Sequence, residues 1–235
     1  VRPNKFKAVD TITDGLLRKR SRYTKVGDRL GVPWYLVGAI HNMESGLRFD
    51  RHLHNGDPLT KRTRQIPKGR PKSGTPPFTW EDSAEDALTL RRLHLVDDWT
   101  LPRLLYEAEG YNGWGYRQHH PEVLTPYLWS FSSHYSKGKY VADGRWSATA
   151  VSRQCGLATL LRRLEERGEI RLLESRKRQP FFRFSKRKTP PVEDLQRFLN
   201  TVDGIVLRVD GQPGPKTSDA VQLTFGHRLQ GDPRD

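Results

Sequence analysis

One stretch limits the fold more than any other: Val32 to Asp57, VPWYLVGAIHNMESGLRFDRHLHNGD. Pro33 suits the start of a helix, where a missing N–H leaves nothing unpaired. Trp34, Val37, Ile40 and Met43 then recur every three or four residues, which predicts a helix with one buried face. Gly46 is the expected left-handed stop. Glu44 lies beside the apolar stripe, one turn beyond Ile40, so the helix carries an acid to the edge of a core. A carboxyl against Trp and Met surface loses hydration in its charged form; its pKa rises, and it can act as a general acid near neutral pH. Arg51 to Leu59 contains Asn55-Gly56 between short alternating runs, which predicts a hairpin directly after the acid.

The rest of the chain reads as mostly helical, an α+β class with little strand. A packing helix is expected between Lys5 and Arg22, with Ile12, Leu16 and Leu17 on one side. Lys61 to Pro77 is too basic and too interrupted for a core element and reads as a long exposed loop. Thr79 caps a helix with Ala84, Ala87, Leu88, Leu90 and Leu93 inward. A short helix from Leu101 to Glu109 is expected to break at Gly110, leaving Tyr111-Asn-Gly-Trp-Gly-Tyr116 as a loop that exposes rings and amides. Among the aromatics between Pro126 and Trp146, Tyr135 and Tyr140 are expected to be the exposed ones, able to stack on the flat C–H faces of sugar rings. Ser147 caps a long amphipathic helix to about Arg167, with Val151, Leu157, Leu160, Leu161 and Leu164 inward.

From Ser175 to Thr189 the composition turns basic without a single acid and reads as a linker, although Phe181, Phe182 and Phe184 require a surface to pack on. After Pro190-Pro191 come a short helix over Val192 to Leu199, an extended piece at Val206 to Val209, a turn at Asp210 to Thr217, and a helix holding Ala220, Val221 and Phe225. The expected division is 1–174 for the main domain, 175–191 for the linker and 192–235 for a small helical domain.

Three of these places resemble known families. Glu44-Ser45 resembles the Glu-Ser pair of lytic transglycosylases, and Tyr111-Asn112-Gly113 resembles the Tyr-Asn motif that faces the glutamate across their cleft. Leu195-Gln196, Leu199, Asp210-Gly211, Gly214, Thr217 and Ala220-Val221 resemble the small peptidoglycan-binding domain appended to cell-wall hydrolases, over roughly Val192 to Leu229. A helix ending in Glu and running into a polar hairpin is also how the lysozyme superfamily builds its cleft. The resemblance implies a lysozyme-like helical domain with a small β-hairpin beside the cleft, followed by a peptidoglycan-binding domain. It further implies cleavage of the glycan between N-acetylmuramic acid and N-acetylglucosamine, with Glu44 as general acid. The pattern departs after Ser45, where no Gly-Leu-Met-Gln stretch follows, and this leaves the reaction type open.

A hydrolase needs a second carboxylate, about 5 Å away for retention or roughly 6.5–9.5 Å for inversion. Asp57 is the candidate, on a hairpin that can fold back over the helix end, with Asp50 behind it; a turn-stabilising role is the other reading of Asp57. A lytic transglycosylase needs no second acid. Ser45, Asn55, Tyr111, Asn112, Trp114, Tyr135 and Tyr140 complete the expected substrate contacts. No metal and no cofactor are expected: His52, His54 and Asp57 could ligate zinc in an amidase or peptidase, but the remaining histidines lack metal-site spacing.

With 41 Lys and Arg against 27 Asp and Glu, the net charge of +14 predicts an anionic partner. Wall polymer or a membrane surface is expected at the basic runs. Specific nucleic-acid binding is not, because no helix-turn-helix, zinc-finger or RNP-type signature is present. The non-enzymatic alternative is a wall-binding protein. The single cysteine, Cys155, rules out an intramolecular disulfide and reads as a buried small side chain. No run approaches the roughly 18 apolar residues of a membrane span, and no signal-type apolar core is visible, so the export route stays open. The expected site of action is the cell wall or periplasm, and a monomer suits work on a solid polymer.

Overall fold

The computed structural model describes residues 1–142, 144–174 and 182–235. The chain divides into two compact units, Val1–Ser175 and Arg176–Asp235. Among the described residues the fold is mainly helical, with one two-stranded antiparallel sheet.

The first unit is built around α3 (Trp34–Ser45). It packs against α1 (Phe6–Arg18), α2 (Arg20–Leu30), α5 (Leu101–Asn112) and α8 (Leu157–Glu166). Every residue from Leu36 to Asn42 is buried, so the middle of the helix is enclosed on all sides rather than on the single face its period predicts. Trp34 and Met43, read as part of that stripe, are only partly buried. Polar His41 fits inside because Tyr23 Oη bonds its Nδ1 at 3.0 Å and its Nε2 faces the Arg48 carbonyl at 3.2 Å. Burial drops the His41 pKa to about 4, so the ring stays neutral. Gly46 ends α3 in the left-handed conformation, as expected.

Around this helix, α4 (Trp80–Leu90) begins at Thr79, whose hydroxyl accepts from the Asp82 amide at 3.1 Å. Ala84, Ala87, Leu88 and Leu93 are buried as its spacing predicts, whereas Leu90 faces outward. Lys61 to Pro77 carries no helix or named strand, yet it is anchored: Arg70 makes a bidentate pair with Asp86 at 2.8 and 2.7 Å. Cys155 is buried with Val9 and Leu160.

Two elements differ from the sequence reading. The helix α5 runs through Gly110 to Asn112 and turns only at Gly113. Gly110 is tolerated because the Trp114 ring lies against it; a Cβ there would sit 2.9 Å from Trp114 Cζ2. The glycine serves close packing rather than a break, and Tyr111 and Tyr116, expected in an exposing loop, are buried, Tyr116 within the short helix α6 (Gly115–His119). The second difference follows α7 (Pro126–Trp129). Here β1 (Lys139–Ala142) pairs with β2 (Arg145–Ser147), Tyr140 opposite Trp146. Ser147 therefore ends a strand and does not cap α8, which starts ten residues later; Val151 is exposed while Leu157, Leu160, Leu161 and Leu164 are inward.

The second unit packs α9 (Pro190–Leu199) with α10 (Pro215–Phe225) over Leu199, Ile205, Ala220, Val221 and Leu229. Gln196 ties its turn together: Oε1 accepts the Asp210 and Gly211 amides, and Nε2 donates to Asp210 Oδ1, the Gln212 carbonyl and Thr217 Oγ1, all at 2.9–3.1 Å. Val206 to Val209, expected to be extended, joins no sheet. Residues 182–189, expected as linker, belong to this unit: Phe182 and Phe184 pack on its core, and the Phe184 and Thr189 amides donate to Gln230 and Gly211. Phe181 and the rest of 175–181 lie outside the described residues.

Candidate active site

Glu44 is the penultimate residue of α3, and the helix delivers its carboxyl beneath the N-terminal end of α7. Tyr127 Oη donates to Glu44 Oε1 at 3.0 Å. Thr125 caps α7, its hydroxyl accepting from the Tyr127 amide at 3.3 Å, which fixes the tyrosine's backbone. Burial pushes the Glu44 pKa up to about 7, against the opposing pull of the Tyr127 hydrogen bond and the field of Arg91. The negative end of the α3 dipole acts in the same direction as burial. Near neutral pH the group is therefore shared between a proton-donating and a proton-accepting form. Burial and the Glu44 charge together hold the hydroxyls of Tyr111 and Tyr127 well above the usual tyrosine range, so both remain donors.

Tyr111 secures the other side. Its hydroxyl donates to the Leu53 carbonyl at 2.9 Å and so pins the Asn55-Gly56 turn to α5. The expected hairpin is present as a tight turn, with His52 and Asp57 paired, a single bridge between Arg51 and Pro58, and no longer ladder. Gly56 has φ +76° and rests on the end of α3: a Cβ there would lie 2.9 Å from the Glu44 carbonyl oxygen.

Beside Glu44 opens a groove of about 540 Å³, walled by Met43, Asn112, Tyr127, Tyr140, Lys139 and Gln154 among others. Met43 adjoins Glu44 in the chain and Tyr127 holds its carboxyl, so the acid stands directly behind the groove wall. Gln154 donates to the Met43 carbonyl at 2.6 Å, which the end of the helix leaves unpaired, and to the Asn42 carbonyl at 3.2 Å, which also accepts the Gly46 amide. Tyr140 is half-buried, its ring edge-on to Tyr116 and Trp146.

Of the residues singled out from the sequence, Asn112 and Tyr140 line the groove, and Glu44, Tyr111 and the Asn55–Asp57 turn gather at one end of α3. Ser45 bonds back to the His41 carbonyl of its own helix at 3.3 Å. Asp57 Oδ2 accepts from Asn55 Nδ2 at 3.1 Å and from the amides of Arg64 and Gln65 at 2.7 and 3.0 Å. These bonds outweigh the upward push of burial and hold the Asp57 carboxyl below its ordinary value. Asp50 is exposed between Arg48 and Arg51. Two expectations are corrected. Tyr135 is buried, because its hydroxyl donates to the Gly138 carbonyl at 3.1 Å and accepts from the Ser152 amide at 3.2 Å, closing the loop before β1. Trp114, like Glu44, Ser45, Asn55, Asp57 and Tyr111, is not among the groove residues; it packs on Tyr106, ring centroids 4.7 Å apart, and on Gly110.

The histidines weighed as metal ligands have protein partners. His52 meets Ser83 Oγ and the Lys61 carbonyl, each at 2.8 Å, and His54 Nε2 meets Asp86 at 2.8 Å. Among the described residues no three His, Cys, Asp or Glu side chains converge on a point. Sequence reading missed Tyr127, Gln154, Lys139 and Arg91. Tyr127 stood in an aromatic run with no sign of its partner 83 positions away. Compared with protein-family models, curated proteins and solved structures, the chain has no match.

Proposed function

We propose that residues 1–174 form a lysozyme-like glycosidase that cleaves peptidoglycan between N-acetylmuramic acid and N-acetylglucosamine, and that residues 192–235 hold it on the wall. The observation that carries the reading is Glu44: a carboxyl with a pKa of about 7, held by Tyr127, one of the residues that wall the groove. Tyr127 occupies Oε1, which leaves Oε2 to carry the proton. That proton passes to the glycosidic oxygen as the C1–O bond breaks, and positive charge develops at C1. In the hydrolytic course Asp57, kept ionised, stabilises that charge or takes a proton from the attacking water. The basic surface favours an anionic polymer and holds the enzyme at the wall, an attraction that salt weakens.

A second reading rests on Asp57. Its Oδ2 anchors the turn to Arg64 and Gln65, a structural task that suits a residue with no part in the chemistry. In the lytic transglycosylase course the muramic 6-hydroxyl attacks C1 and returns its proton to Glu44, giving an anhydro end without a second acid.

Digesting purified peptidoglycan with wild type and Asp57→Asn, then reading reduced products by mass spectrometry, separates the two. Hydrolysis through Asp57 gives reducible ends and at least about a hundredfold loss of kcat in the variant, within the range of a removed catalytic group. Anhydro ends with kcat retained assign the transglycosylase. No glycan cleavage by wild type leaves a wall-binding protein.

A further inference from the structure

We propose that Lys139 is a carboxylate-recognition residue of the groove, selecting glycan whose alternate sugars carry an acidic substituent. The inference rests on the glycan reading of the groove and adds to it the feature that tells one glycan from another.

The chemistry of the wall motivates it. The groove offers neutral polar groups at Asn112, Ser152 and Gln154, and Lys139 brings the one cation among its described lining residues, with no lining carboxylate among them. Lys139 begins β1, paired to Ser147 on β2, so a sheet rather than a free loop sets its backbone. It is half-buried, and its ammonium takes no ion pair or hydrogen bond among the described residues. In so cation-rich a protein, most ammonium groups face open water; one on the wall of a concave site is positioned for a ligand. An ammonium gains most from a carboxylate or phosphate, through a charge-assisted hydrogen bond. Arg91, not Lys139, is the cation whose field acts on Glu44.

On a glycan of N-acetylmuramic acid and N-acetylglucosamine, the available anion is a carboxylate. It has two sources. In strands stripped of peptide it is the free lactyl carboxylate of the muramic residue; in intact strands that group is an amide, and the nearest carboxylates belong to the stem peptide. Chitin oligomers have the same backbone and neither carboxylate. A single cation on the groove wall is thus enough to favour wall glycan over chitin.

The test measures binding in the full-length Glu44→Gln protein, where ligand is not consumed, with Lys139 or with Lys139→Gln added. Short muramyl oligosaccharides without peptide, the same oligosaccharides with stem peptide, and chitin oligomers are titrated by calorimetry at low salt. The expected result is about tenfold weaker binding of one or both carboxylate-bearing ligands, the scale of one charge-assisted contact. Chitin binding should be unchanged, and Lys139→Arg should restore affinity. Loss confined to the peptide-free ligand identifies the lactyl group; loss confined to the peptide-bearing one identifies the stem. Equal affinities with and without Lys139, or equal loss on chitin, overturn the proposal. Cleavage of the same muramyl oligosaccharides by wild type is scored separately: its absence defeats the glycosidase reading, while the binding comparison still decides the role of Lys139.

Discussion

The Tyr127 hydroxyl donates to Glu44 Oε1 at 3.0 Å, joining the end of a central buried helix to a four-residue helix far along the chain. This bond does two things at once. It fixes the orientation of the acid, and by favouring the ionised form it keeps the pKa at about 7 where burial alone would carry it higher.

Tyr127→Phe therefore separates position from acidity. Removing the donor makes the carboxylate less favourable, so the Glu44 pKa rises and the alkaline limb of the kcat/KM profile moves to higher pH. At the same time kcat falls at every pH, since the acid is no longer held. The pH–rate profile on soluble oligosaccharide checks both; a reduced rate with an unmoved alkaline limb contradicts the assignment.

The raised pKa also has a consequence for stability. The folded protein binds the Glu44 proton more tightly than the unfolded chain, whose glutamate titrates near 4.5. Stability from this group is complete below about pH 4.5 and declines as pH rises towards 7, up to about 3 kcal/mol in all. Glu44→Gln removes that dependence. Thermal melting should show the variant matching wild type at pH 4.5 and exceeding it at pH 8. Equal melting temperatures at pH 8 would mean that Glu44 is hydrated.

Gly56→Ala probes the contact between the turn and the helix end. The substitution forces a Cβ to 2.9 Å from the Glu44 carbonyl at a φ of +76°, so something must move. A loss of about 1–3 kcal/mol in denaturant unfolding is expected, together with a lower kcat from a displaced Glu44. Unchanged stability and rate would place the turn elsewhere in solution.

How far the sequence speaks to this site follows from where its signals act. Pro33, the apolar spacing and Gly46 are local, and they marked α3, its end and the acid on it. They predicted one buried face and said nothing of all-round enclosure; Tyr23, from another helix, and the Arg48 carbonyl make polar His41 acceptable inside. At Gly110 a local helix-breaking preference yields to tertiary packing by Trp114. The β1–β2 pair hid in an aromatic run, although the Asp143-Gly144 dipeptide of the sequence is itself a hairpin signal. Tyr135 read as one of the outermost rings, free to stack on a sugar; two backbone partners make it an internal strut instead. Tyr127 was beyond reach, since its role exists only through a contact across the fold.

The most direct measurement is the rate of glycan cleavage by wild type and Glu44→Gln at pH 6, on purified peptidoglycan, with circular dichroism confirming that both are folded. If Glu44 is the proton donor, wild type cleaves and the variant loses at least about a thousandfold in kcat, about 4 kcal/mol of transition-state stabilisation, while still binding the polymer. A folded variant that cleaves as fast as wild type would contradict the role given to Glu44, and with it the catalytic reading of the groove.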